Sequence, residues 1–437
     1  MFEMDRFPGP SQIDDQSVGL KNCIIGEKYC MNPSILNEKL NNLRTIAELI
    51  IRKGSLSRPD LARLTGLSPA TVTNLTKELL KKRVIVEKGK LDSGLGRKAK
   101  LLEFNSRYGY FVNVNLDPSL PTSIYLSDLL GGVIEKEKKY ITLKIIADNS
   151  EEALVSNIID TIKKFIDSQD SVIRKKIIAI GISIPAVVNL DETIYSPLFK
   201  WYNIPLKASI ENALSIPTFL ENIARIKAIY EMNFIDRTVD KNVIYLALSP
   251  GIGMVNFYDS KLIKGKHSIA GEIGHMSLNI LGEECYCGNK GCFELYCGES
   301  NIIKSAMALI TENQSPILSD IVRNSPEDID IKALFQAQQM GDMKVHKLLE
   351  EAGKYLGLAL ANVVNCFDPD RLIVSGDLIG ESNLVYDCAV EEMRKRVFDI
   401  LSRNIDIEKA RLKSSDIVKA IANFILGKML DDIATTK

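Results

Sequence analysis

No stretch of this sequence runs to 18 consecutive apolar residues, the length that reads as a membrane-crossing helix. The nearest candidate, Ile177 to Val188, is interrupted by Gly181, Ser183 and Pro185. The opening MFEMDRFPGP lacks the apolar run of a secretory signal and has acids and a Pro-Gly break instead. These absences predict no membrane span and a cytoplasmic location. Material for a core is not lacking: 46% of the 437 residues are hydrophobic and 25% charged. That balance excludes wholesale disorder and suffices for about two to four domains.

Net charge is almost absent, at −1, but it is unevenly spread. Between Lys39 and Arg107 there are 16 Lys+Arg against 6 Asp+Glu, leaving 39 against 50 for the rest. A small basic module on a large acidic body predicts a polyanionic partner for the module.

Residues 1–35 are polar and without sustained periodicity, and read as a flexible arm containing Cys23 and Cys30. Residues 36–106 follow a compact pattern. Leu40, Leu43, Ile46, Ala47, Ile50 and Ile51 recur at helical spacing, with Gly54 as a stop. Ser57 or Arg58 caps a second helix that ends at Gly66; Ser68-Pro69 opens a third, which runs to about Arg83. A strand at Val84–Glu87, a glycine-rich turn and a strand from Lys98 to Phe104 complete the order of a winged helix-turn-helix. In such a module the second helix of the pair enters the major groove of double-stranded DNA. Ser68, Thr71, Thr73 and Asn74 are then the candidate base or phosphate contacts, with Lys77, Lys81 and Lys82 further along as phosphate partners. Arg97 and Lys98 lie at the wing, where arginine can enter a minor groove.

Beyond Tyr108 strands alternate with helices, which predicts an α/β body large enough for two lobes. A strand meander spans Phe111–Leu116, Ser123–Leu129 and Val133–Ile141, and a helix is expected from Asn222 to Phe234. Within the body, His275 is followed after nine residues by Cys285-Tyr286-Cys287-Gly288-Asn289-Lys290-Gly291-Cys292. One imidazole and three thiolates, from His275, Cys285, Cys287 and Cys292, fill a tetrahedral Zn²⁺ shell without an open position, so the metal is expected to be structural. Gly288 and Gly291 permit the tight turn this requires.

From Leu36 onward the chain resembles the ROK family of sugar kinases and transcriptional repressors. The resemblance rests on Glu272-Ile273-Gly274-His275, on the cysteine segment continuing to Glu294, on Gly181-Ile182-Ser183-Ile184-Pro185 and on Glu221-Asn222-Ile223-Ala224. The preceding winged helix resembles the repressor branch, that of the xylose and N-acetylglucosamine regulators. The resemblance implies an actin/hexokinase-like body, with a first lobe at 107–221 plus 410–437 and a second at 222–409. It also implies a pocket in which Asn222, Glu272, His275 and Glu294 grip the hydroxyls of a sugar or sugar phosphate. The residue types suit the task, since carboxylates accept from hydroxyls and an amide does both.

Three departures from the family's kinases point away from catalysis. Ile223 stands where the kinases keep the Asp that takes the sugar's proton, and losing a positioned base costs about 10²–10⁴-fold. The first phosphate loop reads Asn115-Leu116-Asp117-Pro118-Ser119-Leu120, and the second Ser249-Pro250-Gly251-Ile252-Gly253-Met254. Ser375-Gly376-Asp377 replaces a glycine triplet beside the nucleotide. The expectation is a non-enzymatic, sugar-responsive repressor acting on a DNA operator as a homodimer or tetramer. The competing readings are a sugar kinase with an attached DNA module, and a regulator controlled by a protein partner.

Overall fold

The computed structural model describes residues 33–90, 100–117, 123–138, 151–197, 199–236, 238–248, 251–323, 325–380, 383–399, 405–413 and 416–435. The N-terminal arm, with Cys23 and Cys30, lies outside them except for its last three residues. So do Arg97 and Lys98 of the wing and parts of both phosphate loops, including Pro118, Ser249 and Pro250.

Contacts divide the chain into two units. The first takes residues up to Tyr110, with Lys176–Ala179 and the chain from Ile425; the second takes Phe111–Lys175 and Ile180–Phe424.

In the first unit, helix α1 (Pro33–Lys53) is followed by strand β1 (Leu56–Ser57), α2 (Arg58–Thr65), α3 (Pro69–Lys81), β2 (Ile85–Lys90) and β3 (Lys100–Phe104). Helix α2 begins with a reciprocal cap. The Ser57 hydroxyl accepts from the Asp60 N–H while the Asp60 carboxylate accepts from the Ser57 N–H, each at 3.3 Å. It ends at Gly66, whose φ of 70° is left-handed and whose N–H bonds the Ala62 carbonyl. Leu43, Ile46 and Ile50 of α1 are buried, as are Leu61 of α2, Val72, Leu75 and Leu79 of α3, and Ile85 and Leu102 of the wing. The wing has three strands in the order β1-β3-β2, not two. Two-residue β1, paired Leu56 to Leu102, is too short to show an alternation in sequence.

Two five-stranded sheets follow, which fall in the second unit apart from Tyr110 and Ile177–Ala179. The first is built from β4 (Tyr110–Asn115), β5 (Ser123–Asp128), β6 (Val133–Lys138), β7 (Ile177–Ile184) and β11 (Thr218–Asn222), in the order β11-β7-β4-β5-β6. Helix α4 (Glu151–Asp167) lies between β6 and β7 in sequence and buries Leu154, Ile158, Ile162 and Phe165 at helical spacing. Before β11 come a small antiparallel sheet, β8 (Val187–Val188), β9 (Ile194–Ser196) and β10 (Trp201–Ile204), and helix α5 (Leu206–Leu214). None of these was expected, since strands of two to four residues carry too few alternations to be seen.

Helix α6 (Ile223–Glu231) leads into the second sheet, made of β12 (Val243–Leu248), β13 (Ile252–Tyr258), β14 (Lys261–Ile263), β15 (Arg371–Ser375) and β16 (Asp406–Lys409). Its order is β14-β13-β12-β15-β16. Every residue of β12 is buried, as expected of a central strand covered on both faces. Helices α7 (Glu294–Cys297), α8 (Glu299–Thr311), α9 (Ile331–Gln339), α10 (Met343–Phe367) and α11 (Asn383–Arg396) belong to this half. Helix α12 (Ile417–Thr435) closes the chain. β7 and β11 run parallel, as do β12, β15 and β16. The chain segments after β4, β11 and β15 therefore leave the carboxyl ends of strands, where open α/β sheets hold their ligands. Among the described residues no helix is long and apolar enough to cross a membrane.

Candidate functional site

On α3 the inward stripe and the outward face separate as the spacing predicts. Asn74 and Lys77 are exposed, while Thr71 and Thr73 are half-buried. Several of the expected contacts already have local work. Ser68 is the N-cap of α3: its hydroxyl accepts from the Thr71 N–H at 3.1 Å and bonds the Thr71 hydroxyl at 2.9 Å. The Thr73 hydroxyl donates to the Pro69 carbonyl at 2.7 Å. Lys82 is paired with Glu78 at 3.2 Å, and Lys39 reaches the same carboxylate at 2.7 Å. Thr76, not singled out from the sequence, is buried and accepts from the Arg58 guanidinium at 3.0 Å, which ties α2 to α3. Asn74, Lys77 and Lys81 are the exposed polar side chains along this helix.

In the body, the residues expected to hold a metal do meet. One ligand atom from each of His275, Cys285, Cys287 and Cys292 lies within 4.8 Å of all the others. The Cys287 and Cys292 sulfurs are 3.7 Å apart, and His275 Nδ1 is 3.7 Å from the Cys285 sulfur. A tetrahedron with metal–sulfur bonds of about 2.3 Å has edges of about 3.8 Å, so the donor set fits a closed tetrahedral ion such as zinc. Burial and the neighbouring sulfurs raise the Cys285 thiol pKa and push Cys292 up to about 12. Thiols held back in this way become metal ligands when a cation among them stabilises the thiolates.

The turn that gathers them depends on glycine. Gly291 has a φ of 61°, and a Cβ there would meet the Asn279 carbonyl oxygen at 1.7 Å. Asn289, not singled out from the sequence, braces the loop by donating to the His275 carbonyl at 3.1 Å while its own carbonyl accepts from the Cys285 N–H.

Glu294, which opens α7 two residues after Cys292, is buried, and its Oε2 accepts from the Ile252 N–H at 2.9 Å. Close approach of the chain makes this contact possible. A Cβ on Gly274 would meet the Ile252 carbonyl at 2.5 Å, and one on Gly251 would meet Glu294 Oε2 at 3.0 Å. Glu272 is exposed at its surface; surrounding protein raises its carboxyl pKa, and Glu294 adds to that, against the pull of His275 and Arg225.

Asn222 differs from expectation in its local role. It is the last residue of β11 and the N-cap of α6, not the first residue of the helix. Its Oδ1 accepts from the Ala224 and Arg225 N–H groups, and its Nδ2 donates to the Ala186 carbonyl at 3.0 Å. Most of the amide therefore serves the scaffold. His275 is likewise partly engaged, because its Nε2 lies 3.2 Å from the Tyr286 hydroxyl.

Two further groups were not assigned from the sequence. Glu221, 2% exposed, is clamped by Arg225 at 3.3 Å and Lys264 at 2.6 Å. The i,i+4 spacing of Glu221 and Arg225 across the strand–helix junction was the available signal. Nearer the expected phosphate loops, Glu299 is buried at the start of α8 and accepts from the Leu378 N–H at 3.3 Å. Burial, with Asp377 and Asp117 as further contributors, pushes its carboxyl pKa up to about 7. Asp117 is itself buried, 3.9 Å from Lys227. Ile223 is the half-buried first residue of α6 and brings no ionisable group.

Comparison with known proteins gives matches over both parts. A model described as ROK family matches residues 126–426, and one described as winged helix-turn-helix DNA-binding matches 41–86. The chain is 28% identical over 393 residues to a xylose repressor of Bacillus subtilis (strain 168), covering 90% of this chain and 96% of the relative. It is 26% identical over 385 residues to the DNA-binding transcriptional dual regulator NagC of Escherichia coli (strain K12), covering 87% and 91%. Among solved structures it is similar to a ROK family transcriptional regulator described as a homolog of the E. coli MLC protein. That match has a TM-score of 0.75 at 24% identity and covers 91% of this chain and 98% of the other. A ROK family glucokinase from Streptomyces griseus, in complex with glucose and AMPPNP, matches with a TM-score of 0.61 at 23% identity, covering 72% and 99%. At those identities the two structures speak for the fold.

Proposed function

We propose that this chain, which belongs to the ROK family and carries a winged helix-turn-helix ahead of the family body, is a sugar-responsive transcriptional repressor without kinase activity. One observation carries the reading. Glu294 is held by the Ile252 backbone and His275 lies in the cysteine knuckle, while Ile223 brings no ionisable group to the position where the resemblance to the family's kinases implies a base. The body retains the means to bind hydroxyls and lacks the means to take a proton from one. The buried Asp117, with Asp377, adds negative charge that repels a polyphosphate.

DNA binding comes from the winged helix, with Asn74 and Lys77 as the exposed reading positions and Arg97 and Lys98 as wing contacts. Zn²⁺ is the proposed occupant of the His275, Cys285, Cys287 and Cys292 site. Its role there is structural, holding the loop that precedes Glu294. The effector is a sugar or sugar phosphate, bound by Glu272, His275 and Glu294 with Asn222 beside them. A homodimer or tetramer in the cytoplasm fits an operator read in two half-sites. Effector binding moves DNA affinity only by its differential affinity for the two states, and a 100-fold preference is worth about 2.7 kcal/mol.

Fluorescence anisotropy on labelled upstream DNA tests the reading, repeated with D-xylose, D-glucose, N-acetyl-D-glucosamine and their phosphates. Binding that weakens steeply with salt, and is released by one of these sugars, is expected. Absence of salt-sensitive DNA binding refutes it, and sustained ATP-dependent phosphorylation of any of the sugars would restore the kinase reading.

A further inference from the structure

Tyr286 lies between two of the metal-site cysteines, so its backbone is fixed by the knuckle. Its ring is not part of a core and is 50% exposed. The phenol oxygen is 3.2 Å from His275 Nε2, and the two rings meet edge to face at 5.2 Å and 87°. His275 Nδ1 faces the sulfurs, so when Nδ1 serves the metal it is Nε2 that carries the proton and donates to the Tyr286 oxygen. A phenol hydroxyl that accepts one hydrogen bond still has its own proton to donate elsewhere.

A hydroxyl bonded to His275 Nε2 sits where a ligand hydroxyl assigned to this site would bond. We propose that Tyr286 is an internal stand-in for an effector hydroxyl, and that a sugar binds by displacing the phenol from His275 Nε2. This rests on the effector reading given above and adds a consequence for selectivity. A ligand gains the site only if it presents a hydroxyl able to replace the one it displaces, because an unreplaced partner leaves His275 unsatisfied. The side chain is half-exposed and has only two torsions to change for the phenol to leave His275.

The test compares the full-length wild-type protein with Tyr286→Phe, each at equal zinc content. Calorimetric titration would use D-xylose, D-glucose and N-acetyl-D-glucosamine. Removing the competing hydroxyl is expected to tighten binding of the sugar that binds by about 3- to 10-fold. In the wild type the same titration should perturb tyrosine ultraviolet absorbance, and Tyr286→Phe should abolish that signal. Unchanged or weaker binding by Tyr286→Phe overturns the stand-in role, and so does a wild-type titration with no tyrosine signal. If neither protein binds any sugar while both still bind DNA, the effector reading falls and the inference falls with it.

Discussion

Glu294 Oε2 accepts the backbone N–H of Ile252 at 2.9 Å, which joins the first turn after the cysteine knuckle to the first residue of a central β-strand. The carboxylate is thus oriented by the main chain before any ligand arrives. Glu294→Gln keeps an acceptor for Ile252 but removes the charge that strengthens bonds to hydroxyls. Calorimetry should show sugar affinity falling by about tenfold or more, with DNA affinity in the absence of sugar unchanged.

The knuckle should be required for the response and dispensable for DNA contact. Cys287 is the exposed member of the four, so Cys287→Ser disturbs packing least. Metal analysis is expected to fall from about one zinc per chain to well below that. Sugar binding should be lost with it, while the winged helix, whose core is separate, keeps its salt-dependent affinity for DNA.

Recognition-helix substitutions should separate into two kinds. Lys77→Ala removes an exposed charge and is expected to weaken binding to all sequences alike, lowering the salt slope by about one. Asn74→Ala should leave the salt slope unchanged and relax preference at one base position, costing about 1–3 kcal/mol against the preferred site. Anisotropy over a range of salt concentrations and a set of single-base operator variants distinguishes them.

Glu299 gives a pH prediction. Its carboxyl pKa is about 7 in the folded chain against 4.5 when unperturbed. Below 4.5 both states hold the proton and nothing is lost. Between the two values the unfolded state releases its proton while the folded state retains it, so rising pH destabilises the fold, and the loss is complete above about 7. At 1.36 kcal/mol per unit, over about 2.5 units, this amounts to about 3 kcal/mol. Glu299→Gln keeps the acceptor for Leu378 and removes the titration. Its melting temperature should match the wild type near pH 4.5 and exceed it by a few degrees at pH 8.

How much the sequence revealed depended on the range over which each signal acts. Ser57, Gly66 and Ser68-Pro69 marked helix ends to within a residue or two, because caps and left-handed turns are local chemistry. The His275 and cysteine spacing identified the donor set, since four ligands within 18 residues need only a tight turn to converge. Strands of two to four residues, such as Leu56–Ser57 and Asp406–Lys409, escaped notice because their existence depends on a partner strand distant in the chain.

By itself, then, the sequence determined the order of modules, the basic front end and a His/Cys cluster at metal-ligand spacing; each is a property of residue type at short range, whereas the reading of Ile223 rests on the resemblance to the family's kinases. Only the tertiary structure decided what those residues are free to do. Asn222 is drawn into capping α6, Ser68 into capping α3, and His275 Nε2 onto Tyr286. Asp117 and Glu299, 182 positions apart, come near enough for one to shift the other's proton affinity. Buried donors and acceptors must find partners wherever the fold brings them, and which partners those are is fixed only when distant strands and loops pack together.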